Sequence, residues 1–253
     1  LNYNWNWGIF FDLEPGATGT YLQYLIGGLG WTVSAALMAW FLALTLGVTV
    51  GILRTLGNST IERLCFFYVE LFRNIPLLVQ MFLWYFVLPE LLPVNMGNAI
   101  KQMPPPWASL VPAVLCLGLF TSVRVAEQVR SGLASIPRGQ KMAGMAIGLK
   151  TWQVYRYVLM PVVGRIILPP LTSEFLNCIK NTSLALTIGL MELTARSRAM
   201  QEFTFQVFEA FAAATLIYFL VNILVVLASR RLESRLRIVG LIGSDSAKIN
   251  AGH

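Results

Sequence analysis

The amino-acid sequence predicts an all-α integral membrane protein with five transmembrane helices, and three observations carry that expectation. Apolar residues make up 56% of the 253 and charged residues only 12%, against roughly a quarter charged in a soluble domain, so the chain cannot cover itself with a polar surface. Five apolar stretches offer about the 20 residues that a helix needs to cross a ~30 Å hydrocarbon core. The Lys and Arg residues gather on alternate connections. High apolar content with little charge also excludes an intrinsically disordered chain.

Each element follows from local composition. Residues 1–24 form an outer, interfacial segment in which Trp5 and Trp7 suit the headgroup level, as do Trp31 and Trp107 further on. Leu1 to Trp7 has no basic region and no cleavage pattern, so no signal peptide is expected. Span one, Leu25 to Leu53, is free of charge and closed by Arg54. Span two, Leu64 to Leu88, carries Glu70, Arg73 and Pro76 early, and Pro89 and Pro93 end it. The connection 89–106, with Pro104, Pro105 and Pro106, reads as a short rigid excursion. Span three runs from Trp107 to Arg130 and contains Arg124 and Glu127. Span four, Ile166 to Leu190, holds Pro169, Pro170, Glu174 and Lys180, and span five runs from Phe208 to Ser229. Residues 25–229 thus constitute the membrane domain, with a loop over 131–165, and residues 230–253 a tail.

Basic residues near span ends favour the cytoplasmic side. With the N-terminus outside and the C-terminus inside, thirteen of the 19 Lys and Arg residues lie inside and only Lys101, Arg196 and Arg198 outside. The net charge of +7 is therefore explained by topology, and no nucleic-acid partner is expected. Cys65, Cys116 and Cys178 are dispersed in apolar stretches and the lone His253 is terminal, so neither a disulfide framework nor a metal site is indicated. No nucleophile and base set marks a catalytic centre.

The loop between spans three and four is too polar to span and too apolar for a plain linker. Gln140 to Leu149 reads as a short helix whose Ala143, Gly144, Ala146 and Gly148 allow close approach of another surface. Composition alone leaves open whether it docks on a partner or caps the bundle. The stretch Met142-Ala-Gly-Met-Ala-Ile-Gly148, followed by Val158-Leu-Met-Pro161, resembles the E-A-A-x(3)-G-x(9)-I-x-L-P loop of ABC importer permeases, with Met142 in place of Glu and Gly144 in place of the second Ala. Tyr68 to Gln80, Ala126 to Arg130, Ser135 to Gln140 and Lys180 to Leu184 are similar, in the expected order, to signatures of the polar amino acid uptake permeases, those of glutamate/aspartate importers most nearly. The likeness covers about half the chain, Tyr68 to Leu193.

This resemblance implies a type I ABC importer permease in a bacterial inner membrane, with Gln140, Met142, Ala143, Gly144, Ala146 and Gly148 on a coupling helix that enters a groove of an ATPase. It implies an ABC ATPase dimer, a second permease subunit, identical or homologous, and a periplasmic amino-acid-binding protein as partners, beside membrane lipid. No cofactor is expected on this chain. It has no G-x-x-x-x-G-K-[ST] loop, so ATP and Mg belong on the partner ATPase. A secondary amino acid transporter or channel driven by an ion gradient is the alternative, against which the lack of a recognisable inverted repeat counts.

Ionisable residues inside spans face the bundle interior or a cavity. Glu70 and Arg73, three apart, are read as a structural ion pair. Arg124, Glu127 and Arg130 form a ladder at three-residue spacing, in which Arg124 either compensates Glu127 or offers its guanidinium to a substrate carboxylate. Lys180 has no partner on its own helix face. With Asn181, Thr182 and Ser183 it either binds an anionic group or pairs across helices, for instance with Glu127. Arg124, Glu127, Lys180, Asn181, Thr182 and Ser183 are accordingly the candidate substrate-binding residues.

Overall fold

The computed structural model describes residues 3–15 and 19–236. Most of these residues are helical, and extended pairing among them is confined to an isolated bridge between Leu13 and Thr20. A capping box, in which Thr20 and Gln23 satisfy each other's backbone amides, starts α1 (Tyr21–Leu53) ahead of the expected Leu25. At 33 residues and 1.5 Å each, α1 is roughly 50 Å long and outreaches a hydrocarbon core.

Span two departs most from expectation. α2 (Ser59–Asn74) ends in an extended Ile75, and after Pro76 the chain resumes as α3 (Leu77–Leu91), bent from α2 by 100°. Glu70 and Arg73 therefore stand at the end of α2, not in the first turns of a straight span. Pro76 has no amide to continue the ladder, and Gln80, almost fully buried, fills the gap. Its Nε2 donates to the carbonyls of Phe72 and Ile75, both at 2.8 Å. The corner thus keeps its exposed carbonyls satisfied away from water.

α4 (Val94–Lys101) follows, then α5 (Trp107–Ala134), the most enclosed of the long helices. α1 and α5 run parallel. A Cβ on Gly118 would meet Leu42, one on Gly47 would meet Val125 and the Ser122 carbonyl, and one on Gly51 would meet Val129 and the Ala126 carbonyl. Ala35, Ala39, Ala43, Gly47 and Gly51 line this buried seam at every fourth residue, the small-residue pattern that lets helix backbones touch. Two parallel helices require the chain between them to return across the membrane once, so α2 and α3 together make a single crossing and the total among the described residues is five.

After α5 comes α6 (Arg138–Ala146), shorter than the expected Gln140 to Leu149 helix. It stops because Gly148 takes a left-handed φ of 86°. The Gly148 and Leu149 amides then donate to the Met145 and Gly144 carbonyls at 3.0 and 3.2 Å, which closes a Schellman cap. Gly148 is thus a helix stop, and among the described residues nothing lies within 4 Å of its Cβ position, so that side of the turn is open. Gly144 is close-packed, against Val154.

α7 (Thr151–Ile188) begins well before the expected Ile166. It contains a π-helical stretch, Val154–Leu159, keeps Pro169 and Pro170 within it, and tightens to a 3-10 helix over Thr182–Ile188. Gly189 ends it with a φ of 83°. α8 (Leu193–Thr204) was not expected from hydropathy, because it is polar. Glu192 caps it by accepting from the Thr194 and Ala195 amides at 3.0 and 2.8 Å. Its carboxylate also takes bonds from Tyr218 and Thr32, tying α8 to α1 and to α9 (Val207–Leu236), which continues past Ser229. Burial pushes the Glu192 carboxyl above the usual carboxylate range, and these four donors oppose the push. At the same end Tyr3 and the Asn6 amide bond Glu209 at 2.5 and 2.8 Å, fastening the N-terminal segment to α9. The tail beyond Leu236, with Arg237, Lys248 and His253, lies outside the described residues.

Candidate substrate cavity and coupling surface

The helix face of α5 that carries Phe120, Arg124, Glu127 and Gln128 opens into a cavity of about 310 Å³. These positions recur at four, seven and eight residues, one stripe of a helix. Arg73 closes the cavity from the end of α2 and Glu174 from α7.

The charges pair differently from the sequence ladder. Arg54 Nη1 donates to Glu127 Oε1, and Arg130 contacts Glu127 Oε2 at 3.0 Å. Glu127 thus draws its neutralising cations from the end of α1 and from its own helix, not from Arg124 or Lys180. Arg124 instead faces Glu174, with 3.8 Å between Nη1 and Oε2, too far for a hydrogen bond. Glu174 Oε2 is buried and has no hydrogen-bond partner among the described residues. The Arg124 guanidinium lies 5.1 Å over the Phe120 ring, a stacking that leaves its in-plane donors free. Glu70 accepts from Arg73 at 2.6 Å and from Asn74 at 2.8 Å.

The structure therefore brings Arg124 and Glu127 together and adds Arg73 and Glu174, but it keeps the Lys180 to Ser183 group apart. Lys180 is exposed and meets no carboxylate among the described residues. Thr182 is buried and donates to the Ile179 carbonyl, and Ser183 donates to that of Lys180, each at 2.7 Å. Asn181 is half-buried. Glu174 is the residue sequence reasoning passed over. Its signal was present, an acid inside a span with no cation on its own helix face.

Between α5 and α7, α6 packs Gly144 against α7 while exposing Met142 and Met145, together with the adjoining Ile147. Ala143 and Ala146 are exposed beside them. An apolar stripe of this kind on a short helix is the form a docking surface takes.

Residues 43–238 match the family described as binding-protein-dependent transport system inner membrane component. The chain belongs to that family. Its curated relatives include the glutamate/aspartate import permease protein GltJ of Escherichia coli, 43% identical over 96% of this chain and 99% of that one. The glutamine transport system permease protein GlnP of the same species is 30% identical over 86% and 95% of the two chains. Among solved structures, an amino acid ABC transporter with histidines superposes with a TM-score of 0.72 at 27% identity, covering 85% of this chain and 95% of that one. The MetNI methionine ABC transporter in an inward-facing conformation gives 0.70 at 18% identity over 90% and 100%, a likeness of fold. The chain is thus a multi-pass inner-membrane permease component with the ABC importer permease fold.

Proposed function

We propose that this chain is the membrane subunit of an ATP-driven importer that carries glutamate and aspartate into the cytoplasm. The observation that carries the reading is the near full-length match to a glutamate/aspartate import permease, and the cavity chemistry agrees with it. Arg124 presents an uncommitted guanidinium fork suited to a carboxylate. Glu174, with a bare oxygen 3.8 Å away, suits the ammonium of the same amino acid. Arg73 on the far wall is a second cation for a second carboxylate. Lys180 with Asn181, Thr182 and Ser183 lies off this cavity and is proposed to act only along the path to it.

ATP and Mg are held by a separate ATPase dimer in this reading, which docks on α6. A second permease chain completes the pathway, and a periplasmic amino-acid-binding protein delivers substrate. The N-terminus is periplasmic and the basic end of the bundle cytoplasmic. Each ATP state favours one conformation of the bundle, and α6 transmits that preference. Family membership favours this scheme over an ion-driven carrier.

Uptake of radiolabelled glutamate, aspartate and glutamine into proteoliposomes holding the assembled complex is the test. A charge-assisted hydrogen bond is worth about 1.5–3 kcal/mol, so Arg124→Gln is expected to raise the half-saturating concentration for glutamate, aspartate and glutamine alike roughly 10- to 100-fold, because all three carry the α-carboxylate beside the ammonium. Unchanged uptake of all three in Arg124→Gln would remove Arg124 from the site.

A further inference from the structure

A second concavity, about 880 Å³, lies where the end of α1 meets the start of α7. Ile52, Leu56 and Met160 give it an apolar trough, and Lys150 and Arg156 stand on its rim. Both cations are exposed, and neither meets a carboxylate among the described residues. Trp152, 57% exposed, lines the same groove. Tyr155 holds its floor in place by donating to the Thr55 carbonyl at 2.8 Å. The groove borders the π-helical stretch Val154–Leu159, a widened turn of a kind often found at functional sites.

We infer that this groove is a binding site for an anionic phospholipid. The trough alone would suit any acyl chain, and the two free cations alone would suit any anion. An amphiphile with a negative headgroup matches both. Its place at the basic end of the bundle, beside a tryptophan and a tyrosine, is the headgroup level, and basic pockets between spans on that side of a membrane hold acidic lipid headgroups. The lipid would lie against the mount of α6, since Val154 packs on Gly144 and Lys141 sits 5.8 Å over the Tyr155 ring. It would thus brace the joint between α6 and α7. The assignment rests on the groove and not on which amino acid the complex carries.

Tryptophan quenching by brominated lipids tests it on the purified complex in phosphatidylcholine nanodiscs. The Trp152 signal is the difference between wild type and Trp152→Phe. Brominated phosphatidylglycerol is expected to quench it at a far lower mole fraction than brominated phosphatidylcholine. Each juxtamembrane cation contributes about fivefold to such a preference, so Lys150→Gln with Arg156→Gln is expected to reduce it by roughly 30-fold. Equal quenching by the two lipids in wild type would overturn the assignment even if the double variant failed to assemble. So would a preference that survives the double variant, or a Trp152 that neither lipid reaches because the ATPase covers it.

Discussion

Replacing Gly47 by alanine is expected to destabilise the bundle at the seam between α1 and α5. The new Cβ would lie 2.6 Å from the Ser122 carbonyl oxygen and 2.5 Å from Val125 Cβ. Ordinary contact begins near 3.4 Å, so the deficit against the carbonyl is 0.8 Å. Neither neighbour is the end of a flexible side chain, so the backbones themselves must part. Overpacking of this kind costs about 1–3 kcal/mol, whereas exchanging Gly for Ala inside a helix gains about 1 kcal/mol. The net loss is therefore up to about 2 kcal/mol, or a fall in melting midpoint of up to roughly 8 °C for a chain of this size. Gly30 is the internal control, because it lies on the same helix with nothing within 4 Å of its Cβ position. Gly30→Ala keeps the propensity gain without the clash, so the two variants should shift thermal unfolding of the detergent-purified complex in opposite directions. A Gly47→Ala protein as stable as Gly30→Ala would refute the seam.

The other expectations are separate in site and in readout. Gln80→Leu leaves the Phe72 and Ile75 carbonyls without their donor and should cost about 1–3 kcal/mol, seen as a lower thermal midpoint; an unchanged midpoint would mean that the corner holds itself. Because the Glu192 carboxyl is raised by burial, the folded state holds its proton more tightly than the unfolded one. Its contribution is full below the ordinary carboxylate range and is lost as pH rises through the raised value. Glu192→Gln should flatten that fall in stability above the ordinary carboxylate range, which thermal scans across pH would show. On the coupling surface, Ala146→Trp adds bulk to an exposed position of α6 and should cut glutamate-stimulated ATP hydrolysis at least tenfold while the permease still purifies folded. Full stimulation would separate α6 from coupling. Gly148→Trp would be a poorer probe, since φ of 86° would strain any side chain and unwind the cap.

The apolar stretches announced the number of crossings because hydropathy over about 20 residues is a property of the chain alone. Several finer features were also written locally, although a search for apolar spans passes over them and Gly148 first reads as part of a small-residue face. Thr20 with Gln23 spells a capping box, Gly148 after a short helix spells a left-handed stop, and Gly47-x-x-x-Gly51 spells close helix contact. What could not be read were choices made across the fold. Pro76 signals a break but not a 100° bend, because the angle depends on Gln80 satisfying carbonyls that the break exposes. α8 escaped a search for apolar spans because its anchor is one buried carboxylate shared by three helices. Arg124 and Glu127 look like natural partners three residues apart, yet Arg54, far earlier in the chain, takes Glu127 and leaves Arg124 to Glu174. One-dimensional spacing lists possible partners, and packing selects among them.

The four-residue rhythm of alanine and glycine along α1 has a mechanical corollary. Helices meshed backbone to backbone have no slack for sliding or rolling, since every step would drive a carbonyl into a Cβ. They form one stiff plank. When the pathway switches sides, bending must therefore fall to the joints around that plank, first of all the Pro76 elbow, where one amide side chain stands in for a missing turn of ladder.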